Sequence, residues 1–282
     1  MAEIPILVDG EATSQVAVLD RGFQYGDGLF ETIKVTQGTA EFWDRHMARL
    51  AFGCARLGMP APDAAALRHD AERLHKGAEN GVLKIIVTRG EGGRGYNPPV
   101  PALPRRVVAL FPPPGHPESW RREGVRLRLC ETTLGDQPRL AGLKHLNRLE
   151  QILARSEWSD AETAEGLMCD GSGAVIEGTM SNLFLVRGGE LHTPDLSRCG
   201  VAGIIRAAIL EMARGLGFHI EVRRIERAEL DAADEVFVTN SVIGIWPVQA
   251  IEKRKFRPGP ITADLIATLA QVTKDRSEKA PS

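Results

Sequence analysis

One lysine, Lys144, lies in a segment whose residue types and spacing could support covalent chemistry. The segment LAGLKHLNRLEQILAR covers residues 140–155, and its leucines and isoleucine after the lysine recur at helical spacing, which predicts a helix with one buried face. A lysine in the first turn of such a helix would have a lowered pKa, because partial burial and the helix dipole both disfavour the ammonium. Such a lysine can form an imine with a carbonyl and act as a general base. The ordinary alternative is a solvated lysine at a helix start.

Several other positions could bind an anion or pair with a charged ring. His46 and Arg49 lie three residues apart on a helix predicted to start near Asp44, and a guanidinium can bind a phosphate in a bidentate way. Gly200 and Gly203 precede another predicted helix, whose first-turn amides would be free to bind an anion. Glu177 lies in a strand-rich stretch, where a buried carboxylate is costly unless it is paired.

The loop GEGGRG, residues 90–95, matches a dinucleotide-binding pattern after the predicted strand VLKIIVTR. That function needs a helix directly after the glycines, to hold the pyrophosphate at its N-terminus. The sequence YNPPVPALP follows instead and cannot start a helix smoothly. We therefore reject a nicotinamide-binding site and interpret residues 90–95 as a substrate loop with the cation of Arg94 at its tip.

These segments together resemble one known family. LAGLKHLNRLEQ, VLDRGFQYGDGLFE, TRGEGGRGY, IEGTMSNLF and FVTNSVIGI occur in the order seen in the aminodeoxychorismate lyases, which belong to the fold-type IV family of pyridoxal-phosphate enzymes. The resemblance runs through nearly the whole chain. It implies a two-domain α/β fold of mixed sheets, with the active site in the interdomain cleft, and a homodimer.

The resemblance also implies roles for individual residues. Lys144 would form the Schiff base with pyridoxal 5'-phosphate and act as the catalytic residue, and Glu177 would pair with the pyridine nitrogen. The whole set expected to bind the cofactor is Arg49, Lys144, Glu177, Asn182, Ile204, Ile205, Asn240 and Ser241. Among these, Arg49, the amides of Ile204 and Ile205, and the loop at Asn240 and Ser241 would bind the phosphate. Tyr25, Arg94 and Tyr96 are the expected substrate contacts.

The implied reaction converts 4-amino-4-deoxychorismate to 4-aminobenzoate and pyruvate, a step toward folate. The nearest alternative is an aminotransferase of the same fold that acts on D-amino or branched-chain acids and uses the same lysine. LKHLNRLEQ and GGRGY favour the lyase. A non-catalytic protein that kept the fold is a third possibility, and the joint presence of Arg49, Lys144 and Glu177 argues against it.

Mixed strand and helix patterns on both sides of a proline-rich stretch predict two domains. We expect a smaller N-terminal α/β domain at residues 1–116, a linker at 117–121, and a larger domain at 122–282 that carries Lys144. The stretch FPPPGHPESW favours a stiff linker. The last eight residues, DRSEKAPS, are expected to be disordered.

Composition limits the classes of partner. The 282 residues are 43% hydrophobic and 26% charged, as in ordinary globular proteins, and the net charge of −2 gives no reason to expect nucleic acid or an anionic membrane. The four cysteines, Cys54, Cys130, Cys169 and Cys199, lack the spacing of a zinc site, and we expect no metal. We also expect no signal peptide and no membrane span, and a reduced cytoplasmic setting.

Overall fold

The computed structural model describes residues 4–278 and divides into two compact units. The first unit comprises residues up to Pro114 together with the short segment Leu143–Asn147 and the end of the last helix from Arg276. The second comprises Gly115–Gly142 and Arg148–Asp275. The division predicted from the sequence differs from these units mainly in the segment Leu143–Asn147, and it stays a prediction.

The first unit is built on an antiparallel sheet. Its elements, in chain order, are β1 (Ile6–Val8), β2 (Glu11–Ala12), α1 (Arg21–Tyr25), β3 (Gly28–Thr36), β4 (Thr39–Ala40), α2 (Trp43–Leu57), α3 (Ala64–His75), β5 (Asn80–Thr88) and β6 (Arg105–Phe111). The strand order is β2-β1-β6-β5-β3-β4. Ile33, Val35, Leu83 and Ile85 alternate along β3 and β5 and are fully buried, which gives the sheet its apolar face.

The second unit is a larger mixed sheet with helices. Its elements are α4 (Ser119–Glu123), β7 (Val125–Leu129), α5 (Leu149–Arg155), β8 (Thr163–Cys169), β9 (Val175–Gly178), β10 (Asn182–Arg187), β11 (Glu190–Pro194), α6 (Ile204–Gly215), β12 (Ile220–Arg223), α7 (Arg227–Ala232), β13 (Glu235–Asn240), β14 (Gly244–Ile251), β15 (Arg254–Lys255) and α8 (Pro260–Glu278). The strand order is β12-β11-β10-β13-β14-β7-β8-β9, with β15 paired to β14.

The pairing of β9 with β10 closes six of these strands into a ring. The ring runs β10-β13-β14-β7-β8-β9 and contains parallel pairs at β14–β7 and β7–β8. One buried cluster includes Leu127, Leu167, Leu183, Val238 and Trp246, one residue from each of five of its strands. Burial of these side chains is the main favourable term that holds the ring together.

The backbone around Lys144 differs from the sequence prediction. Helix α5 begins only at Leu149, so the expectation that Lys144 lies in the first turn of a helix was wrong. Residues 143–147 are instead held against β3: the Phe30 amide donates to the Lys144 carbonyl at 2.9 Å, and the Leu146 amide donates to the Gly28 carbonyl at 3.0 Å. Backbone pairing to an existing strand therefore prevails over helical spacing here.

The expected buried face of this helix was also wrong. Leu149, Ile152 and Leu153 are 73%, 58% and 60% exposed, whereas Ala154 is fully buried. Within residues 4–278, no apolar surface covers these three side chains. They therefore form an exposed apolar stripe on α5.

The C-terminal prediction is wrong in part. Helix α8 continues to Glu278, so the segment expected to be disordered from Asp275 is helical over its first residues. Residues 279–282 lie outside the described part of the chain. Among the helices that the structure describes, none has the length and apolar character that crossing a membrane requires.

Candidate active site

Lys144 lies in the first unit, on an extended segment fixed by β3. Its ammonium is 4.3 Å from the centroid of the Phe30 ring, within the range of a cation–π contact. The next anchor is Asn147, whose side-chain amide donates to the Gly26 carbonyl at 3.0 Å. A Cβ at Gly26 would lie 2.8 Å from the Asn147 side-chain oxygen, so the close approach requires glycine. These bonds, rather than a helix start, position the lysine.

Arg49 belongs to a buried group of three side chains in the first unit. The carboxylate of Glu31 accepts from Arg49 Nε at 2.9 Å and from Arg49 Nη2 at 2.5 Å, and it also contacts His46 Nδ1 at 2.6 Å. Glu31 and His46 are almost completely buried. The two-point contact with Glu31 fixes the plane of the guanidinium, as binding of a phosphate at a defined angle requires.

The charges of this group follow from burial and pairing. Burial would raise the pKa of Glu31, but the positive charge of Arg49 and the hydrogen bonds from His46 and Arg49 lower it to about 2. Burial lowers the pKa of His46, and the hydrogen bond to Glu31 acts in the opposite direction. A neutral His46 donates from Nδ1 to Glu31, and among the described residues its Nε2 has no hydrogen-bond partner.

Sequence reasoning missed Glu31, although a signal was present. Glu31 occupies the position between Leu29 and Ile33 in the alternating pattern of β3, where every second side chain is buried. A carboxylate in the apolar register of a strand indicates a buried partner. The partner is Arg49, which had been singled out separately.

The predicted substrate contacts also lie in the first unit, where they differ in how firmly they are held. The hydroxyl oxygen of Tyr25 accepts from the Gly95 amide at 3.3 Å, and the Tyr25 and Tyr96 rings meet edge to face at 5.5 Å. Tyr96 is 84% exposed. Arg94 is exposed as well, and its side chain makes no hydrogen bond or ion pair with any residue that the structure describes. The structure therefore brings Tyr25 and Tyr96 together and leaves the Arg94 side chain in solvent.

Glu177 and Asn182 are paired in the second unit. They face each other across β9 and β10, and both are about 95% buried. The Glu177 carboxylate accepts from the Val201 amide at 2.8 Å and from the Asn182 side-chain amide at 3.3 Å. Hydrogen bonds donated to a buried carboxylate favour its ionised form, so Glu177 can pair with a cation.

A second glutamate, Glu165 on β8, fixes the turn between Glu177 and Asn182. Its fully buried carboxylate accepts from the Thr179 amide at 3.0 Å, the Thr179 hydroxyl at 2.6 Å and the Ser181 hydroxyl at 2.8 Å. Burial raises the pKa of Glu165, and these hydrogen bonds act against that rise. The sequence prediction missed this residue, because only its cross-strand partners explain a carboxylate there.

The predicted phosphate amides, Ile204 and Ile205, are the first two residues of α6. Gly203 precedes them as the N-cap and has no side chain to cap the helix, so the first-turn amides point outward from an uncapped helix start. A Cβ at Gly203 would lie 2.0 Å from the side-chain oxygen of Asn182, which is possible only for glycine. The helix start and Asn182 are therefore packed against each other.

Asn240 shapes the turn after β13. Its side-chain oxygen accepts from the amides of Val242 and Ile243 at 2.9 and 3.0 Å, and its side-chain nitrogen donates to the Met180 carbonyl at 3.0 Å. Ser241 is half-buried in the same turn. Asn240 thus links this turn to the one between β9 and β10, next to Glu177 and Asn182.

Comparison with known proteins identifies the family. The profile of the class IV amino-transferases matches residues 28–251, and the chain belongs to this family. It is 39% identical to an aminodeoxychorismate lyase of Vibrio harveyi over 266 residues, which cover 93% of this chain and 98% of the relative.

Solved structures agree. The crystal structure of 4-amino-4-deoxychorismate lyase from Pseudomonas aeruginosa superposes with a TM-score of 0.90 at 52% identity, covering 94% of this chain and 98% of that one. The branched-chain amino acid aminotransferase from Escherichia coli superposes with a TM-score of 0.83 at 25% identity, covering 97% of this chain and 95% of that one. The expected two-domain α/β fold is confirmed.

The cofactor of this family is pyridoxal phosphate, and a further branched-chain aminotransferase of the same fold was solved with pyridoxamine 5'-phosphate. The groups observed in each unit fit this cofactor chemically. The first unit contains an amine, Lys144, of the kind that reacts with an aldehyde, and an oriented guanidinium, Arg49, of the kind that binds a phosphate. The second provides a buried, hydrogen-bonded carboxylate, Glu177, and an uncapped helix start at Gly203.

Proposed function

We infer that this chain is a pyridoxal-phosphate-dependent aminodeoxychorismate lyase, which converts 4-amino-4-deoxychorismate to 4-aminobenzoate and pyruvate. The observation that carries this is the 52% identity to the Pseudomonas aeruginosa lyase over 94% of the chain. The lyase is favoured over the aminotransferases because the Escherichia coli aminotransferase structure, of similar coverage, is only 25% identical.

Lys144 acts as the base in this reaction. Pyridoxal phosphate, when bound, supplies an electron-withdrawing ring that stabilises negative charge on the neighbouring substrate carbon. The Lys144 amine then takes the proton from the substrate carbon that bears nitrogen. The segment pairing with β3 supports this role, because it fixes where the side chain starts. The bond from the ring to the enolpyruvyl oxygen then breaks, and the departing enolpyruvate takes up one proton, in place of the one removed, to become pyruvate. The substrate ring becomes aromatic, which drives the reaction forward.

Glu177 keeps a proton on the pyridine nitrogen. The hydrogen bonds from Val201 and Asn182 favour its ionised form, and a buried carboxylate attracts the positive charge of a protonated ring nitrogen. Asn182 supports the hydroxyl side of the cofactor. The phosphate is bound by Arg49, by the amides of Ile204 and Ile205, and by the turn at Asn240 and Ser241.

Tyr25, Arg94 and Tyr96 bind the substrate. Aminodeoxychorismate carries two carboxylates, and Arg94 is a cation whose side chain lies in solvent and can pair with one of them. Tyr25 supports the loop through the Gly95 amide.

We also propose that the enzyme is a cytoplasmic homodimer that serves folate biosynthesis. The apolar stripe of Leu149, Ile152 and Leu153 supports the dimer, because three neighbouring aliphatic side chains on a short helix are exposed in the single chain. A second copy of the chain would bury them.

Product analysis tests the function. The purified protein, incubated with aminodeoxychorismate, should release 4-aminobenzoate and pyruvate in equal amounts, measured by chromatography and by coupled reduction of pyruvate. A yellow, cofactor-loaded protein that releases neither product would contradict the lyase. An aminotransferase would instead accumulate the pyridoxamine form of the cofactor in a single turnover with an amino donor.

A further inference from the structure

We propose that Arg21 is a positioning residue for the substrate loop, residues 90–95, and for Tyr96 directly after it, and that it sets the affinity for the anionic substrate through the placement of Arg94 and Tyr96. The proposal rests on the proposed function for the identity of the substrate. Its structural part, the fixing of the loop, rests on contacts within the first unit alone.

The Arg21 side chain binds the end of the loop by its carbonyls. Nη1 donates to the Gly95 carbonyl at 3.0 Å and Nη2 donates to the Tyr96 carbonyl at 3.1 Å. A longer contact of 3.5 Å joins Nη1 to the Asn97 carbonyl. One guanidinium therefore contacts three successive peptide groups directly after Arg94. The planar guanidinium of arginine can do this because its N–H donors point in several fixed directions. The ammonium of a lysine cannot, because its donors all belong to one nitrogen.

The Arg21 guanidinium is itself held in place by a hydrogen-bonded network of charged side chains. Arg21 is only 4% exposed, and its Nε donates to the Asp27 carboxylate at 2.8 Å. The same carboxylate oxygen accepts from Arg89 Nε at 2.7 Å, and Arg89 donates further to the carbonyls of Leu57 and Gly58. Arg21 thus connects the loop to a charged network anchored at the end of α2.

Tyr25 completes the contact from the same helix. The Arg21 guanidinium lies 5.0 Å from the Tyr25 ring centroid, and the Tyr25 oxygen accepts from the Gly95 amide. Arg21 holds the carbonyl of Gly95 and Tyr25 holds its amide, so both sides of one residue in the loop are bound to α1.

The helix α1 also connects to the lysine segment. Its C-cap is Gly26, whose carbonyl accepts from the Asn147 side chain. One five-residue helix therefore binds the substrate loop with two side chains, and its C-cap binds the Lys144 segment. A loop held by this helix keeps a fixed relation to the lysine within the unit.

Substitution of Arg21→Lys in the cofactor-loaded enzyme is the first test. The substituted lysine keeps a positive charge near Asp27 but lacks the several N–H donors of the guanidinium. We expect amide hydrogen exchange of residues 92–97 to accelerate about tenfold and KM for aminodeoxychorismate to rise about tenfold, with cofactor content unchanged and kcat within about twofold. Arg68→Lys is the matched control, because Arg68 is half-exposed on α3 and pairs with an exposed Asp44. Wild-type exchange and KM in Arg21→Lys would overturn the proposal.

A glycine pair tests the same contact from the loop side. A Cβ at Gly92 would lie 2.9 Å from Arg21 Cδ, whereas a Cβ at Gly93 would meet no atom within 4 Å. We therefore expect Gly92→Ala to accelerate exchange in residues 92–97 and to raise KM severalfold. Gly93→Ala should exchange like the wild type.

The outcomes separate the two proposals. If the wild-type enzyme forms 4-aminobenzoate but Arg21→Lys keeps the wild-type exchange and KM, the positioning role fails alone, whatever Gly92→Ala shows. If no 4-aminobenzoate forms, the proposed function fails, and the exchange comparison still decides whether Arg21 holds the loop. If amide hydrogen exchange accelerates equally in Gly92→Ala and Gly93→Ala, the positioning role of Arg21 is also overturned. If Arg21→Lys does not fold, the glycine pair decides.

Discussion

At the scale of single residues, two carboxylates of the first unit, the buried Glu31 and the half-buried Asp27, are each paired with guanidinium groups. Arg49 contacts Glu31 through two of its nitrogens, and Arg21 and Arg89 each contact Asp27 through Nε, so the positive charges compensate for the loss of water around each carboxylate. Burial would raise the pKa of Asp27, and the bonds and charges of Arg89 and Arg21 lower it instead. Each pair gives an arginine a fixed direction.

Replacement of Lys144 is the simplest prediction at this scale. Lys144→Ala should lower kcat for 4-aminobenzoate formation by about a thousandfold or more, because the proton-accepting amine is lost. Borohydride reduction of the loaded wild type should attach the cofactor to the peptide that contains Lys144. Lys34→Ala is the control, since Lys34 pairs with Glu41 in the same unit. Full turnover by Lys144→Ala would be incompatible with the proposal.

The contribution of the Glu31 ion pair to the free energy of unfolding should depend on pH. Its pKa is lowered from 4.5 to about 2, so ionised Glu31 contributes stability above pH 4.5 that is lost as the pH falls toward 2. The shift corresponds to about 3 kcal/mol. Glu31→Gln should therefore lower the free energy of unfolding at pH 7 by about that amount, and the difference from the wild type should shrink below pH 4.5.

Urea unfolding at a series of pH values measures this difference. Glu11→Gln, an exposed carboxylate on β2, serves as the control and should unfold like the wild type at every pH. A constant gap between Glu31→Gln and the wild type from about pH 7 to about pH 3 would contradict the charge pairing.

At the scale of elements, the start of α6 depends on a glycine. Gly203→Ala places a Cβ on the side-chain oxygen of Asn182 and must displace either the helix start or Asn182. We expect the dissociation constant of pyridoxal phosphate to rise about tenfold to a hundredfold, because the amides of Ile204 and Ile205 move with the helix. The change is measured by titrating the apoprotein with the cofactor.

The same helix offers a control. Gly215 ends α6, and a Cβ there would meet no atom within 4 Å. Gly215→Ala should bind the cofactor normally and gain about 0.5–1 kcal/mol of stability from the reduced freedom of the unfolded chain. Equal cofactor affinity in the two variants would show that the start of α6 does not bind the phosphate.

The elements also show what the sequence could and could not predict. Strands β3 and β5 and helix α6 follow from their periodicity, since their own side chains determine their buried faces. The segment around Lys144 does not, because its backbone pairs with a strand far earlier in the chain. The same holds for the candidate site: Lys144 and Glu177 are predicted from motifs, while Glu31 and Glu165 are explained only by partners on other elements.

At the scale of the whole molecule, the exposed apolar stripe on α5 is the surface through which we expect two copies of the chain to associate. Burial of Leu149, Ile152 and Leu153 by a second chain would contribute a few kcal/mol, at about 25 cal/mol per Å² of apolar surface. We expect Leu153→Lys to raise the dissociation constant of the proposed dimer by at least about tenfold. Sedimentation velocity measures this, with Leu216→Lys, an exposed leucine at the end of α6, as the control. A monomeric wild type would contradict the dimer.

The closure of the strand ring in the second unit has a further consequence. Its last join is a single residue pair, Glu177 opposite Asn182, and both residues also have a role in the proposed chemistry. On the proposed roles, selection for turnover and selection for correct folding act on the same two codons. The two side chains are buried and bonded to each other, so replacing one leaves the other with an unsatisfied buried polar group. A lineage that discards the reaction therefore cannot freely replace Glu177 or Asn182, and these two positions should outlast the activity itself in descendants that no longer catalyse anything.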